Sequence, residues 1–359
     1  MKKIRTAIIG QGRSGRDIHG KYFRSEANDK YDIVAVVELD PARREQALAE
    51  YPGCVAYSDY TELFARDDIE LVVNASYSEM HASITKDLIL HKFNVLVEKP
   101  MARTRYECEE LICLAEKCGV TLAVFQQSLF APIFLFAKEY MHSGKIGKVE
   151  HIQIRYNGFS RRWDWQTIQC KTAGSLYNTG PHPVGYALSF LDFDENAELA
   201  FSRLACAVTE GDGDDYAKLI ITAPKKPVVD VEISALDTYP EATLKLCGSK
   251  GSIKLYGNNT YEAKYIVDGE NPPRPVIFES LKNAEGNPAY CSETINFHEE
   301  KGSIEGTAFD SGTKSFYEMV YLKLTEGKPM EVTPSMAARV IGIIEQAHAE
   351  NPLPVRYTL

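Results

Sequence analysis

The run Ile4-Arg5-Thr6-Ala7-Ile8-Ile9 gives way without a spacer to Gly10-Gln11-Gly12-Arg13-Ser14-Gly15, and this junction constrains the chain more than any other stretch. As a bare pattern, three glycines this close recur by chance. Their context gives them weight: an apolar strand precedes them, a helical stretch through Tyr22-Phe23 follows, and a second β-branched run, Ile33 to Val37, ends on Glu38. The same rhythm continues through a weaker strand at 55–57, an apolar run at 71–73, a helix at 81–91, a strand at 94–97, a helix at about 104–118 and a strand at 121–125. That makes six strands before residue 126. Short apolar strands alternating with helices predict a parallel sheet covered on both faces, a doubly wound α/β Rossmann domain.

The rhythm then changes. A helix is expected at 129–143, followed by period-2 alternation at 151–156, 219–223 and 228–233. Leu244-Lys245-Leu246 and Ser252 to Leu255 flank the turn Gly248-Ser249-Lys250-Gly251. Alternation of this kind predicts an open, mainly antiparallel sheet with one face buried. A polar stretch at 268–312 reads as a long excursion or lid, and helices close the chain at 313–326 and 334–349. A chain of 359 residues is long for one core, so two domains are expected, 1–125 and an α+β domain at 126–359. The open sheet needs a cover on its exposed face, which predicts a homodimer or homotetramer.

The formal net charge of −10 argues against a broad nucleic-acid-binding surface. No apolar run reaches the roughly 18 residues that a membrane span needs, and Ala7-Ile8-Ile9 is too short for a secretory signal core. The eight cysteines are scattered without a C-x-x-C pair, so reduced thiols in a cytoplasmic setting are expected. His19, His91, His142, His151, His298 and His348 show no metal-ligand spacing, and no metal is expected.

The glycine loop reads as a dinucleotide site. Gly10 permits the tight turn, Gly12 lets the backbone approach a pyrophosphate, Gly15 allows close helix–strand packing, and the helix N-terminus faces the phosphates. Gln11, Arg13 and Ser14 complete the loop. Glu38, 23 residues beyond Gly15, stands where a carboxylate pairs with the adenosine ribose hydroxyls. It would repel a 2′-phosphate, so NAD is expected over NADP, although Arg13, Arg43 and Arg44 are near enough in sequence to contact such a phosphate.

At the end of the fifth strand comes Val97-Glu98-Lys99-Pro100. Ligands sit at the carboxyl ends of parallel strands, which places Lys99 toward the nicotinamide. Here the chain resembles the Gfo/Idh/MocA oxidoreductases, which include glucose–fructose oxidoreductase and inositol dehydrogenase. The resemblance also takes in Asn74-Ala75-Ser76 leading to His81, Gly144-Lys145-Ile146-Gly147, Gly248 to Gly251 and Val332-Thr333-Pro334. It implies that Ala75, Ser76, His81 and Glu98 line the cofactor site, that Lys99 binds the reacting hydroxyl, and that an Asp-x-Gly-x-His segment supplies the base. The matching stretch runs from Ala173 to His182. Gly174, Gly180 and His182 fall in register, but Asn178 stands where the family has aspartate and Gly185 where a second one often follows.

The chemistry agrees with that resemblance. Oxidising an alcohol needs a base for the hydroxyl proton, and imidazole is suited to it near neutrality. An ammonium beside the same oxygen stabilises the developing alkoxide. Asn178 is expected to accept a hydrogen bond from the other imidazole nitrogen without adding charge, and Asp164 is a rival source of the missing charge. Arg161 to Thr167, with Trp163, Asp164 and Trp165 interleaved, suits a polyhydroxylated ligand. Phe125-Gln126-Gln127-Ser128 departs from the Asn-Arg-rich stretch of many relatives and leaves the substrate open. The expected activity is NAD(P)-dependent oxidation of a secondary alcohol of a sugar, cyclitol or glycoside. The alternatives are a glycoside-cleaving or epimerising enzyme with transient oxidation, and a non-catalytic sugar- or dinucleotide-sensing regulator.

Overall fold

The computed structural model describes residues 2–358. Its N-terminal sheet contains β1 (Ile4–Ile9), β2 (Tyr31–Val37), β3 (Val55–Tyr57), β4 (Leu71–Asn74), β5 (Asn94–Val97) and β6 (Leu122–Val124). They lie side by side in the order β3-β2-β1-β4-β5-β6, every pair parallel. β1, β2, β4 and β6 are almost wholly buried because helices cover both faces. The order reverses between β1 and β4, the place where sheets of this kind bind ligands at the strands' carboxyl ends. The helix after the glycines starts as a wide turn, Arg13–His19, in which the Gly20 N–H reaches back to the Gly15 carbonyl. Such π-type turns concentrate at functional sites.

The second sheet holds β7 (Val149–Asn157), β8 (Glu198–Ala205), β9 (Tyr216–Thr222), β10 (Val228–Ser234), β11 (Leu244–Gly248), β12 (Gly251–Leu255), β13 (Thr260–Tyr265) and β14 (His298–Ser303). Their order is β14-β13-β12-β11-β7-β10-β9-β8. All pairs are antiparallel except β7 with β10. One face packs on the helices Pro132–His142 and Pro181–Phe190. The other is polar, with Arg155 and Lys218 both paired to Asp230, at 2.6 and 2.7 Å. β14 falls inside the stretch expected to be an excursion; residues 266–297 project from the β13–β14 edge and are largely exposed.

The last two helices fasten the halves together. Thr313–Glu326 buries Phe316 and Tyr317 against Phe125 and the aromatic rings of Tyr22, Phe23 and Tyr31. Pro334–Glu350 packs on Arg105–Cys118 and on β8. All eight cysteines are free. Among the described residues no helix is long and apolar enough to cross a membrane, and no cluster of ligating side chains is arranged to hold a metal ion.

Candidate active site

The glycine loop has the shape its sequence predicts. Gly10 has φ +89°, and a Cβ there would lie 2.4 Å from the Ala75 carbonyl oxygen. That conformation and that closeness both require glycine. Gly12 faces open space, with nothing within 4 Å of where its Cβ would stand, and no side chain caps the helix that begins there. Its first N–H groups are therefore left for a ligand. At the end of β2 the Glu38 carboxylate accepts hydrogen bonds from the Gln11 N–H at 2.7 Å and the Asp40 N–H at 3.0 Å. An uncapped helix start over an open glycine, with a fixed carboxylate beside it, fits the pyrophosphate and ribose of a dinucleotide.

Several residues expected at the cofactor also bond within the walls of the site. The Gln11 side chain is buried and donates to the Gly10 carbonyl. The Ser14 hydroxyl turns away from the loop to donate to Glu98. Ala75 packs under Gly10, and Ser76 donates to the Asn74 side chain at 2.7 Å. His81 is 2% exposed, with Nδ1 2.7 Å from the Pro100 carbonyl and Nε2 3.1 Å from the Ser76 carbonyl. Burial pushes its pKa down, opposed by these two carbonyls, and the ring ties the β4 and β5 ends together. Arg13 is exposed, and its charge bears on Lys99.

Glu98 and Lys99 follow β5. Glu98 is almost fully buried: one carboxylate oxygen accepts from Ser14 and from His19 Nε2 at 3.1 Å, the other from the Lys99 N–H at 3.0 Å. Burial alone would raise its pKa, but His19, Lys99 and Ser14 outweigh burial and hold it at about 2. The Lys99 side chain crosses to the second domain and donates from Nζ to the Asn178 carbonyl at 2.7 Å. Burial lowers its pKa, opposed by Glu98 and helped by Arg13.

His182 sits in the first turn of Pro181–Phe190. Its Nδ1 is 2.9 Å from the Ser128 hydroxyl, while Nε2 has no partner among the described residues. Burial first, and then the Lys99 charge, push its pKa to about 3, with Glu98 pulling the other way. The expectation that Asn178 anchors this imidazole is corrected: Ser128 does so, and the Asn178 side chain accepts instead from Gln166 Nε2 at 3.2 Å. Asn178 ends one short helix, Ser175–Asn178, and His182 opens another, so a spacing of four does not put them on one face. Nor is Asp164 free to replace the missing charge. It caps Trp165–Thr167 and is held by Arg162 at 2.8 Å. Burial raises its pKa, but Arg162 and the Gln166 N–H bring the net shift downward.

Of the two tryptophans, Trp163 is 79% exposed and reaches solvent instead of the site. Trp165 packs edge-on against Tyr77 at 5.1 Å. With the Lys171–Glu79 ion pair at 2.8 Å, it latches the 160–172 segment to the loop after β4. Gln166 lies in the cluster expected to meet a ligand, whereas Ser128, His19 and Tyr317 join the candidate site without having been expected there. Ser128 had a usable signal, since it follows the end of β6, and so had His19, four residues after Gly15 on the sheet-facing side of the helix. Tyr317 had none.

The family profile described as "Oxidoreductase family, NAD-binding Rossmann fold" matches residues 4–126, and the one described as "GFO/IDH/MocA C-terminal domain" matches residues 134–254. The Escherichia coli protein named Uncharacterized oxidoreductase YhhX is 26% identical over 99% of both chains. A Bacillus subtilis protein named scyllo-inositol 2-dehydrogenase (NADP(+)) IolW is 22% identical over 96% of this chain and 92% of its own. The solved structure of GenD2 from gentamicin A biosynthesis, in complex with NAD, shares the fold with a TM-score of 0.74 at 20% identity, over 97% of this chain and 94% of its own. With both halves matched, the chain belongs to the GFO/IDH/MocA family of NAD(P)-binding oxidoreductases.

Proposed function

We propose that the protein moves a hydride between a secondary alcohol of a sugar, cyclitol or glycoside and the nicotinamide ring, with Lys99 binding the reacting hydroxyl and His182 exchanging its proton. The observation that carries this reading is the Lys99 amine at the Asn178 carbonyl, its charge bearing on an imidazole anchored at Nδ1 and, among the described residues, unpartnered at Nε2. When bound, the dinucleotide supplies the hydride acceptor. The chain's own residues supply the rest. Neutral Nε2 is in the form that can take the hydroxyl proton, and the Lys99 ammonium stabilises charge developing on the same oxygen. Ser128 holds the ring while this happens. Gln166 and Asn178 offer amide groups suited to further hydroxyls. The relative named as an inositol dehydrogenase supports a cyclitol or sugar as substrate.

NAD is proposed as the preferred dinucleotide because Glu38 is fixed beside the loop, although that relative is named for NADP. The polar outer face of the second sheet is proposed as the contact between copies in a homodimer or homotetramer, to be read by light scattering; a monomer at all concentrations would refute it.

The deciding experiment offers a panel of sugars, inositols and glycosides with NAD and follows NADH absorbance. Lys99→Ala is expected to lose at least about a thousandfold in kcat while dinucleotide affinity stays within a few-fold. Equal loss of dinucleotide binding would place Lys99 in the cofactor site. Bond cleavage without net NADH would favour transient oxidation.

A further inference from the structure

We propose that Tyr317 and His19 are positioning residues that keep the Glu98 carboxylate charged and so hold Lys99 as an ammonium. The inference rests on the role given to Lys99 above, and it reaches across the domain boundary, because Tyr317 comes from the C-terminal helix Thr313–Glu326.

The geometry runs in one direction. His19 and Tyr317 are both fully buried, and Glu98 nearly so. His19 Nε2 is 3.1 Å from a Glu98 carboxylate oxygen. A carboxylate can only accept, so Nε2 carries the proton. In a neutral ring Nδ1 then accepts, and the group in reach is the Tyr317 hydroxyl at 2.7 Å, which donates. Tyr317 therefore fixes the imidazole tautomer, and the imidazole fixes the carboxylate. The ring has no freedom to turn away, since it lies 4.2 Å from Phe125. Ser14 donates to the same carboxylate oxygen, and the Lys99 N–H to the other.

The charged and titratable groups around Lys99 show why this matters. Arg13 from the glycine loop, His182 from Pro181–Phe190 and His81 from His81–Leu90 surround the ammonium, and Glu98 is the anion among them. Glu98 opposes the downward push that burial exerts on both Lys99 and His182.

Removing the Tyr317 hydroxyl leaves a buried Nδ1 lone pair without a donor, which is costly. With a water in the vacated space to accept from it, Nδ1 can carry a proton, and the ring then has two courses. It can take up a proton and become an imidazolium, or it can switch tautomer, so that Nε2 turns a lone pair on Glu98 and the carboxylate protonates. Either way the charge beside Lys99 becomes one unit less negative, and Lys99 gives up its proton at lower pH.

The test measures the protonation of Lys99 directly in the full-length protein. Acetic anhydride labels free amines, and mass spectrometry of the Lys99 peptide over a pH series gives the midpoint; kcat/KM is recorded over the same range. Tyr317→Phe keeps the stacked ring and is expected to move the Lys99 midpoint and the alkaline limb of kcat/KM down by about one pH unit. Glu98→Gln should move both further. The control is Tyr31→Phe, which deletes an equally buried hydroxyl bonded at 2.7 Å to the Tyr317 carbonyl. It should lower Tm without moving either midpoint.

If Tyr317→Phe moves the labelling midpoint while the rate profile stays put, the relay stands and the role of Lys99 in the reaction falls. If Tyr317→Phe and Tyr31→Phe lower Tm alike and neither moves the labelling midpoint, the hydroxyl is only packing and the relay is overturned. It is equally overturned if Glu98→Gln leaves that midpoint where it was.

Discussion

Part of the donor capacity of Lys99 is committed to the Asn178 carbonyl. The residues beside it decide in which form it and His182 act. His182 is held near 3, chiefly by burial, so it stays neutral from pH 8 down to pH 5. A kcat/KM profile without an acid limb in that window is expected, and an inflection near the ordinary imidazole value that disappears in His182→Gln would contradict it. The sign for stability follows from the same shift. A histidine whose folded pKa is depressed contributes stability above its unfolded value of about 6.5, and that contribution is lost as the pH falls toward 3. Denaturant melts at pH 7 and pH 4 should therefore show a smaller acid loss in His182→Gln than in the wild type. At the other end of the site, Glu38→Ser removes the fixed carboxylate beside the loop. Fluorescence titration should show the preference for NAD over NADP narrowing; tighter NADP binding in the unaltered protein would refute the assignment of Glu38.

Among the elements, the sequence was legible wherever burial followed a clean period. β1, β3 and β5 lie where the apolar runs put them, and β9, with alternating burial, shows the period of two. β8, β13 and β14 escaped because exposed and charged residues interrupt their alternation. Pro181–Phe190 escaped for the opposite reason. Every residue in it is fully buried except the half-buried His182, so it carries no polar stripe to mark a helix. In the candidate site, motif and strand end pointed to Lys99 and to the segment of His182, which the structure brings together through the Asn178 carbonyl. The partner of the imidazole was not legible, because the break at Thr179-Gly180 between two helices cannot be read from spacing. Gly174 shows how tightly this segment is set. It has φ +105°, and a Cβ would lie 2.4 Å from an Asp214 carboxylate oxygen. Gly174→Ala is expected to cost about 2 kcal/mol or more and lower Tm by several degrees. An unchanged melting curve would mean that the segment can shift freely.

At the scale of the whole molecule, the two sheets are tied at the latch of Trp165 on Tyr77 and Lys171 on Glu79 as well as by the closing helices. Glu79 is the half of that ion pair more removed from solvent, and one of its carboxylate oxygens is buried without a partner among the described residues. Lys171→Ala would strand that carboxylate and loosen the loop. KM should rise several-fold with kcat little altered; a fall in kcat alone would show that the latch serves the chemistry.

A similar tie joins this loop to the far end of the chain. The buried Asp212 accepts from the Gln169 N–H at 2.8 Å, and its other carboxylate oxygen accepts from the N–H groups of Arg356 and Tyr357 at 2.8 and 3.2 Å. Gln169 also donates to the Pro354 carbonyl at 3.2 Å. The tail and the loop beside the active site therefore share one carboxylate as their clasp. This bears on how the protein is handled. An affinity handle fused after Leu359, or trimming of the last few residues, pulls on that clasp and would register at the bench as weakened substrate binding, although no residue near the chemistry had been altered. A handle placed before Met1 leaves the clasp alone.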